Sequence, residues 1–182
     1  MASQEGMVID IDYTDPDGHT GFFIACLEGQ MRAARLLLNR GADANMADRS
    51  GTTAFWAACE QGNQGVVQFL HQQAHADTSC ATANGAAPLH AAAHQGHADV
   101  VKYLCEEVGA DLTARAQNGA TPFFIACYAG QLEVCRYLCD QTATDIHLPA
   151  FNNTTPLEVA HRFNHGAVAK YYTPSCAHQN CR

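Results

Sequence analysis

Basic side chains are scarce in this chain: ten Lys and Arg stand against eighteen Asp and Glu, for a formal net charge of −8. The first eighty positions hold ten of those acidic residues, four Arg and no Lys. A surface of that sign repels phosphate backbones, which argues against a nucleic-acid partner. No apolar run approaches the roughly 18 residues needed to cross a bilayer, so no membrane association is expected. The opening stretch, MASQEGMVIDIDYTD, lacks the basic region and apolar core of a leader peptide. The nine cysteines are odd in number and include no CxxC pair, which fits free thiols in a reducing compartment, cytoplasmic or nuclear. GxGxxG, P-loop, GxSxG and HExxH signatures are all missing, so neither an enzyme nor a cofactor is indicated.

What is present is a repeat. Hydrophobic residues make up 47% of the 182 positions, enough for a packed core. Five windows align: PDGHTGFFIACLEGQ (16–30), RSGTTAFWAACEQGN (49–63), ANGAAPLHAAAHQGH (83–97), QNGATPFFIACYAGQ (117–131) and FNNTTPLEVAHRFNH (151–165). The step is 33 residues from Thr20 to Thr53, then 34 to Ala87, Thr121 and Thr155. Thr followed by Pro, as in Thr121-Pro122 and Thr155-Pro156, predicts an N-cap and a first-turn proline. A short apolar helix follows, and Gly29, Gly62, Gly96 or Gly130 ends it in the left-handed conformation. A second helix carries apolar residues at helical spacing, such as Val100, Val101 and Leu104. One such unit cannot bury its own apolar faces, whereas a stack of them can.

This phased pattern, with APLHAAAHQGHADVVKYL and GADANMAD, resembles the ankyrin repeat over roughly residues 8–172. The resemblance implies an all-α solenoid of paired antiparallel helices with hairpin-like loops. Its expected boundaries are a lead-in over 1–14, repeats at 15–47, 48–81, 82–115 and 116–149, a truncated capping repeat at 150–172, and a tail at 173–182. The slot that holds His in such repeats keeps it only at His90. Elsewhere it holds Phe23, Trp56, Phe124 and Glu158, which puts the usual hydrogen-bond ladder in question and suggests aromatic packing between neighbours instead.

The family's usual role is protein binding through the loop tips and the inner face of the first helices. Carried over by position, the partner-facing candidates are Asp17, His19, Leu27 and Glu28 in the first unit, and Arg49, Ser50, Thr52, Glu60 and Gln61 in the second. The third offers Asn84, His94 and Gln95, the fourth Gln117, Asn118 and Tyr128, and the fifth Phe151, Asn152, Arg162 and Phe163. Tyr128, Phe151, Phe163 and Arg162 are of the types that dominate interface hot spots, although Phe151 and Phe163 could equally pack the C-terminal end. A binding module or adaptor acting as a monomer is the expected function. A scaffold fragment of a larger protein, or a metal- or redox-dependent regulator, is the alternative.

The acidic cluster Asp10, Asp12, Asp15 and Asp17 would steer a basic patch on a partner toward this end, and a plain solvated edge is the simpler reading. His90, His94 and His97 have spacings of four and three, but Gly96 should end the helix between them, so no metal site is expected. Cys176, His178 and Cys181 in the tail are at best half a zinc site. Cys26, Cys59 and Cys127 share one slot, as do Cys105 and Cys139, which points to core packing rather than redox chemistry.

Overall fold

A computed structural model describes residues 10–141 and 144–171, so the tail motif lies outside the described residues. Five helix pairs follow one another: α1 (Gly21–Leu27) with α2 (Met31–Asn39), α3 (Ala54–Gln61) with α4 (Gln64–Gln72), α5 (Pro88–Gln95) with α6 (Ala98–Tyr103), α7 (Pro122–Ala129) with α8 (Leu132–Cys139), and α9 (Pro156–Arg162) with α10 (Gly166–Tyr171). Each first helix packs on its own partner and on the first helices of the adjoining units. The core runs the length of the stack as a strip of buried side chains, with Phe22, Phe55, Leu89 and Phe123 in one recurring slot.

The helix starts follow from the capping residues. Thr20, Thr53, Thr121 and Thr155 sit in extended backbone and their hydroxyls accept from the N–H three residues on, at 3.1–3.3 Å. Ala87 has the same backbone but makes no such bond. At the other end of each first helix, Gly62, Gly96 and Gly130 are left-handed caps, and Asn164 takes that conformation in the last unit (φ 62°), a substitution that asparagine tolerates best.

The third unit's second helix widens into a π-helical turn over Leu104–Val108. Its segment VVKYLCEEVGAD is one residue longer than AARLLLNRGAD of the first unit. The second and fourth units have segments of the same length, VVQFLHQQAHAD and VCRYLCDQTATD, but their helices end at Gln72 and Cys139. Among the described residues, only the third unit takes up the extra residue within a π turn.

Hairpin-like loops link the units. Each closes on itself, as in Asp48 N–H to the Thr52 carbonyl at 2.9 Å and Ala116 N–H to the Ala120 carbonyl at 3.0 Å. Successive tips also pair across units. Arg49 N–H donates to the Asp17 carbonyl, Ala83 N–H to that of Ser50, and Gln117 N–H to that of Asn84, at 2.9–3.3 Å. No helix among the described residues is long and apolar enough to cross a membrane.

Candidate protein-binding face

The column Phe23, Trp56, His90, Phe124 and Glu158 falls in equivalent positions, and its chemistry corrects the expectation of aromatic packing. His90 is buried. Its Nδ1 accepts from Ala87 N–H at 3.2 Å and its Nε2 donates to the Ala120 carbonyl of the next unit at 3.0 Å. That pattern fixes a neutral ring with the proton on Nε2. Burial holds the imidazole below its ordinary pKa, against the opposing pull of its backbone partners. Trp56 keeps the inter-unit half of this job, because its indole N–H donates to the Ala86 carbonyl at 2.9 Å. Glu158 keeps the capping half, accepting from Thr155 N–H at 2.8 Å. The hydrogen-bond ladder therefore survives at Trp56 by other means, and Phe23 stacks inside its own unit on His19, with centroids 4.7 Å apart.

A second ladder was not foreseen from the sequence. The residue opening each later second helix reaches back to a carbonyl at the end of the preceding first helix. Asn63 Nδ2 donates to the Leu27 carbonyl at 3.3 Å, His97 Nε2 to Glu60 at 2.9 Å, Gln131 Nε2 to His94 at 2.9 Å, and His165 Nε2 to Tyr128 at 2.8 Å. These side chains lie across the capping glycines. A Cβ added at Gly62 would stand 2.5 Å from the His97 ring, and one at Gly130 would stand 2.5 Å from the His165 ring. The signal was the polar residue directly after each left-handed cap. His97 is thus turned away from His90 and His94, and the three imidazoles are not brought together.

The loop candidates are largely engaged in the fold. Asp15 Oδ1 accepts from the Asp17 and His19 N–H groups, and His19 lies 3.2 Å from Asp15 Oδ2 and 3.7 Å from Asp48 Oδ2. The backbone bond from His19 N–H is the largest of the effects that lower the Asp15 pKa. Ser50 and Thr52 bond to Asp48, while Asn84 and Asn118 accept from Ala86 and Ala120 N–H. Gln117 Nε2 donates to the Ala83 carbonyl at 2.7 Å. Arg49, Glu28, Gln61, Gln95 and Asn152 are exposed, and Leu27 is half-buried.

A different group gathers around an open recess of about 550 Å³ between the loops and first helices of the last three units. It is lined by His94, Asn118, Tyr128, Phe151, Arg162 and Phe163 among the candidates, with Phe124, Ile125, Thr154 and Val159. Tyr128, Phe151 and Phe163 remain 40%, 66% and 47% exposed. The Tyr128 ring meets His94 on one side and Phe163 edge-on at 4.7 Å on the other. A smaller recess of about 220 Å³ adjoins it, sharing His94, Asn118 and Ile125 and extending to Trp56, Glu60 and Asn84.

A family model described as ankyrin repeats (3 copies) matches residues 4–79, 22–116, 71–150 and 108–175. The chain belongs to the ankyrin-repeat family. It is also similar to protein fem-1 homolog A-like of Mus musculus, at 34% identity over 61 residues, which is 34% of this chain and 9% of the mouse protein. Ankyrin repeats are generally protein–protein interaction modules and typically lack enzymatic activity.

The thiols sit as core residues. Cys26, Cys59, Cys127 and Cys135 are fully buried. Desolvation pushes Cys26 up to about 12 and raises Cys59. The Cys127 thiol is raised first by its contact with Cys135, 3.7 Å away, and then by burial. Groups held protonated in this way are poor nucleophiles and poor metal ligands.

Proposed function

We propose that this ankyrin array is a non-enzymatic adaptor that grips a partner protein on the inner face of its last three units. The observation that carries this reading is the recess lined by Tyr128, Phe151 and Phe163, which leaves three aromatic side chains in water beside Arg162. Clustered exposed aromatics are disfavoured on a surface without a partner, and Tyr and Arg anchors dominate binding energy where partners exist. The acidic N-terminal loops belong to the scaffold in this reading, since the carboxylates of Asp10, Asp12, Asp15 and Asp48 accept from loop N–H groups.

A photocrosslinking amino acid placed at Tyr128 should capture the same partner from cell extract as the native chain retains. The same group placed at Lys102, on an outer helix, should not. Equal capture from both positions would move the binding face away from the recess.

A further inference from the structure

The two recesses adjoin through His94, Asn118 and Ile125, and the charged side chains that line them have opposite sign. Glu60 and Arg162 occupy the same slot three units apart, with His94 and Tyr128 between them. Arg162 is the one fully charged side chain lining the larger recess and Glu60 the one lining the smaller. Neither forms an ion pair with a described residue. The nearest acid on the Arg162 helix, Glu158, is turned onto Thr155 N–H. A single unpaired charge at each end of a partly apolar groove is a recognition pattern, because a partner's charge of the wrong sign there would be desolvated without compensation.

Resting on the inner-face reading above, we propose that the groove takes an extended segment of a protein partner, in which an acidic residue stands beside an apolar one and a basic residue follows at a set distance. The acidic side chain meets Arg162, the apolar one enters the cup of Tyr128, Phe151 and Phe163, and the basic one meets Glu60. The spacing follows from the stack. Three steps between packed first helices, at about 8–10 Å each, separate the two charged slots by about 24–30 Å. An extended chain at about 3.3 Å per residue covers that span in about seven to nine residues.

The test uses two fluorescent synthetic peptides of identical composition in a glycine–serine background. The first carries Phe next to Glu, with Arg about eight positions away; the second has Glu and Arg exchanged while Phe stays in place. In fluorescence anisotropy the native chain should bind the first at least about tenfold tighter than the second, a difference of about 1.4 kcal/mol. The double exchange Glu60→Arg with Arg162→Glu should reverse the preference, and Tyr128→Ala should weaken both peptides. Urea midpoints matching the native chain establish that these surface variants fold. Equal affinity for the two peptides, a preference that survives the double exchange, or no binding of either at about 1 mM overturns the proposal. If the crosslinker at Tyr128 still captures a partner in those cases, the inner-face reading stands and only the specified chemistry falls.

Discussion

The first two units and the last two share one backbone and use it differently. At the N-terminal end the loop carboxylates Asp15 and Asp48 are turned inward onto N–H groups, and the tips pair across units through Arg49 N–H and Ala83 N–H. The inner slot there holds half-buried Leu27 and Glu60. At the C-terminal end the loop is irregular, with Asn152 and Asn153 both left-handed, and the inner face exposes Tyr128, Phe151 and Phe163. Both ends leave some apolar side chains in water, Ile24 and Leu36 at the first, but only the C-terminal end gathers aromatic ones into a cluster on the inner face. In a nearest-neighbour array such specialisation is possible, because each unit contacts only those beside it.

The sharpest way to probe this contrast compares one glycine slot at both ends. Gly29 and Gly130 are both left-handed, with φ of 68° and 73°. A Cβ at Gly29 would meet Asn63 at 3.6 Å, an ordinary contact, whereas one at Gly130 would collide with His165 at 2.5 Å. Gly29→Ala should cost about 1 kcal/mol, for the backbone conformation alone. Gly130→Ala should cost about 2–4 kcal/mol, because it also displaces the His165 ring and breaks its bond to the Tyr128 carbonyl. Urea melts of the two variants check this. Equal midpoints would show that the second ladder contributes nothing at the C-terminal end.

A smaller effect separates the two surviving rungs of the first ladder. His90→Phe removes two bonds at a buried site, those to Ala87 N–H and to the Ala120 carbonyl, which keeps only Ala116 N–H, so it should destabilise by about 2 kcal/mol. Trp56→Phe removes one bond at a half-buried site and should cost about 1 kcal/mol. The pH dependence adds a sign. The folded-state pKa of His90 lies below its unfolded value, so the unfolded chain binds the extra proton. Its contribution is present above the unfolded value of about 6.5 and is lost as pH falls below that value and through the lower folded-state pKa. Between about pH 7.5 and about pH 5.5 the native chain should lose stability, and His90→Phe should lose less. An identical pH slope in both would assign the loss to other groups.

Much of the architecture was legible because it rests on local rules. The Thr caps and the left-handed glycines act within a few residues, and the first helices of the first, second and fourth units begin and end where they direct. What escaped the sequence is what depends on the neighbouring unit. Trp56 looked like a lost histidine, and only the position of the Ala86 carbonyl shows that an indole N–H does the same work. Asn63, His97, Gln131 and His165 differ in kind and share only a donor, so no residue-type pattern marked them as a ladder. The candidate face was legible by slot but not by environment. Ser50, Thr52, Asn84 and Asn118 have the variable positions of a binding loop, yet their side chains close turns. Phe163, one place beyond the slot of Tyr128 and Arg162, joins the recess because its ring packs edge-on against Tyr128.

The smallest expected effect concerns the junction between the two ends, where the third unit lacks its capping hydroxyl. Ala87 sits at φ −73° and ψ 163°; its ψ falls among those of the four capping threonines, which run from 159° to 165°, and its φ lies just beyond theirs of −82° to −97°. A threonine there would place its oxygen where the others accept from the N–H three residues on. A recess of about 500 Å³ beside Ala87, lined also by Pro88, Leu89 and Gly85, leaves room for the added hydroxyl and methyl. Pro88 already sets the first turn, so the helix start should not move. A full cap is worth about 1 kcal/mol, but His90 N–H already donates to the Ala87 carbonyl at 2.9 Å. The new bond replaces a partner rather than rescuing an orphan, and the gain from Ala87→Thr should be about 0.5 kcal/mol. The converse change, Thr121→Ala, removes an existing cap at a buried site and should lower stability by about 1 kcal/mol. Both should appear as shifted urea midpoints with an unchanged denaturant slope, since neither alters the area exposed on unfolding. A midpoint that falls for Ala87→Thr would mean that the side chain cannot turn toward the helix, and that the His90 bond to Ala87 N–H has taken over the capping of this unit.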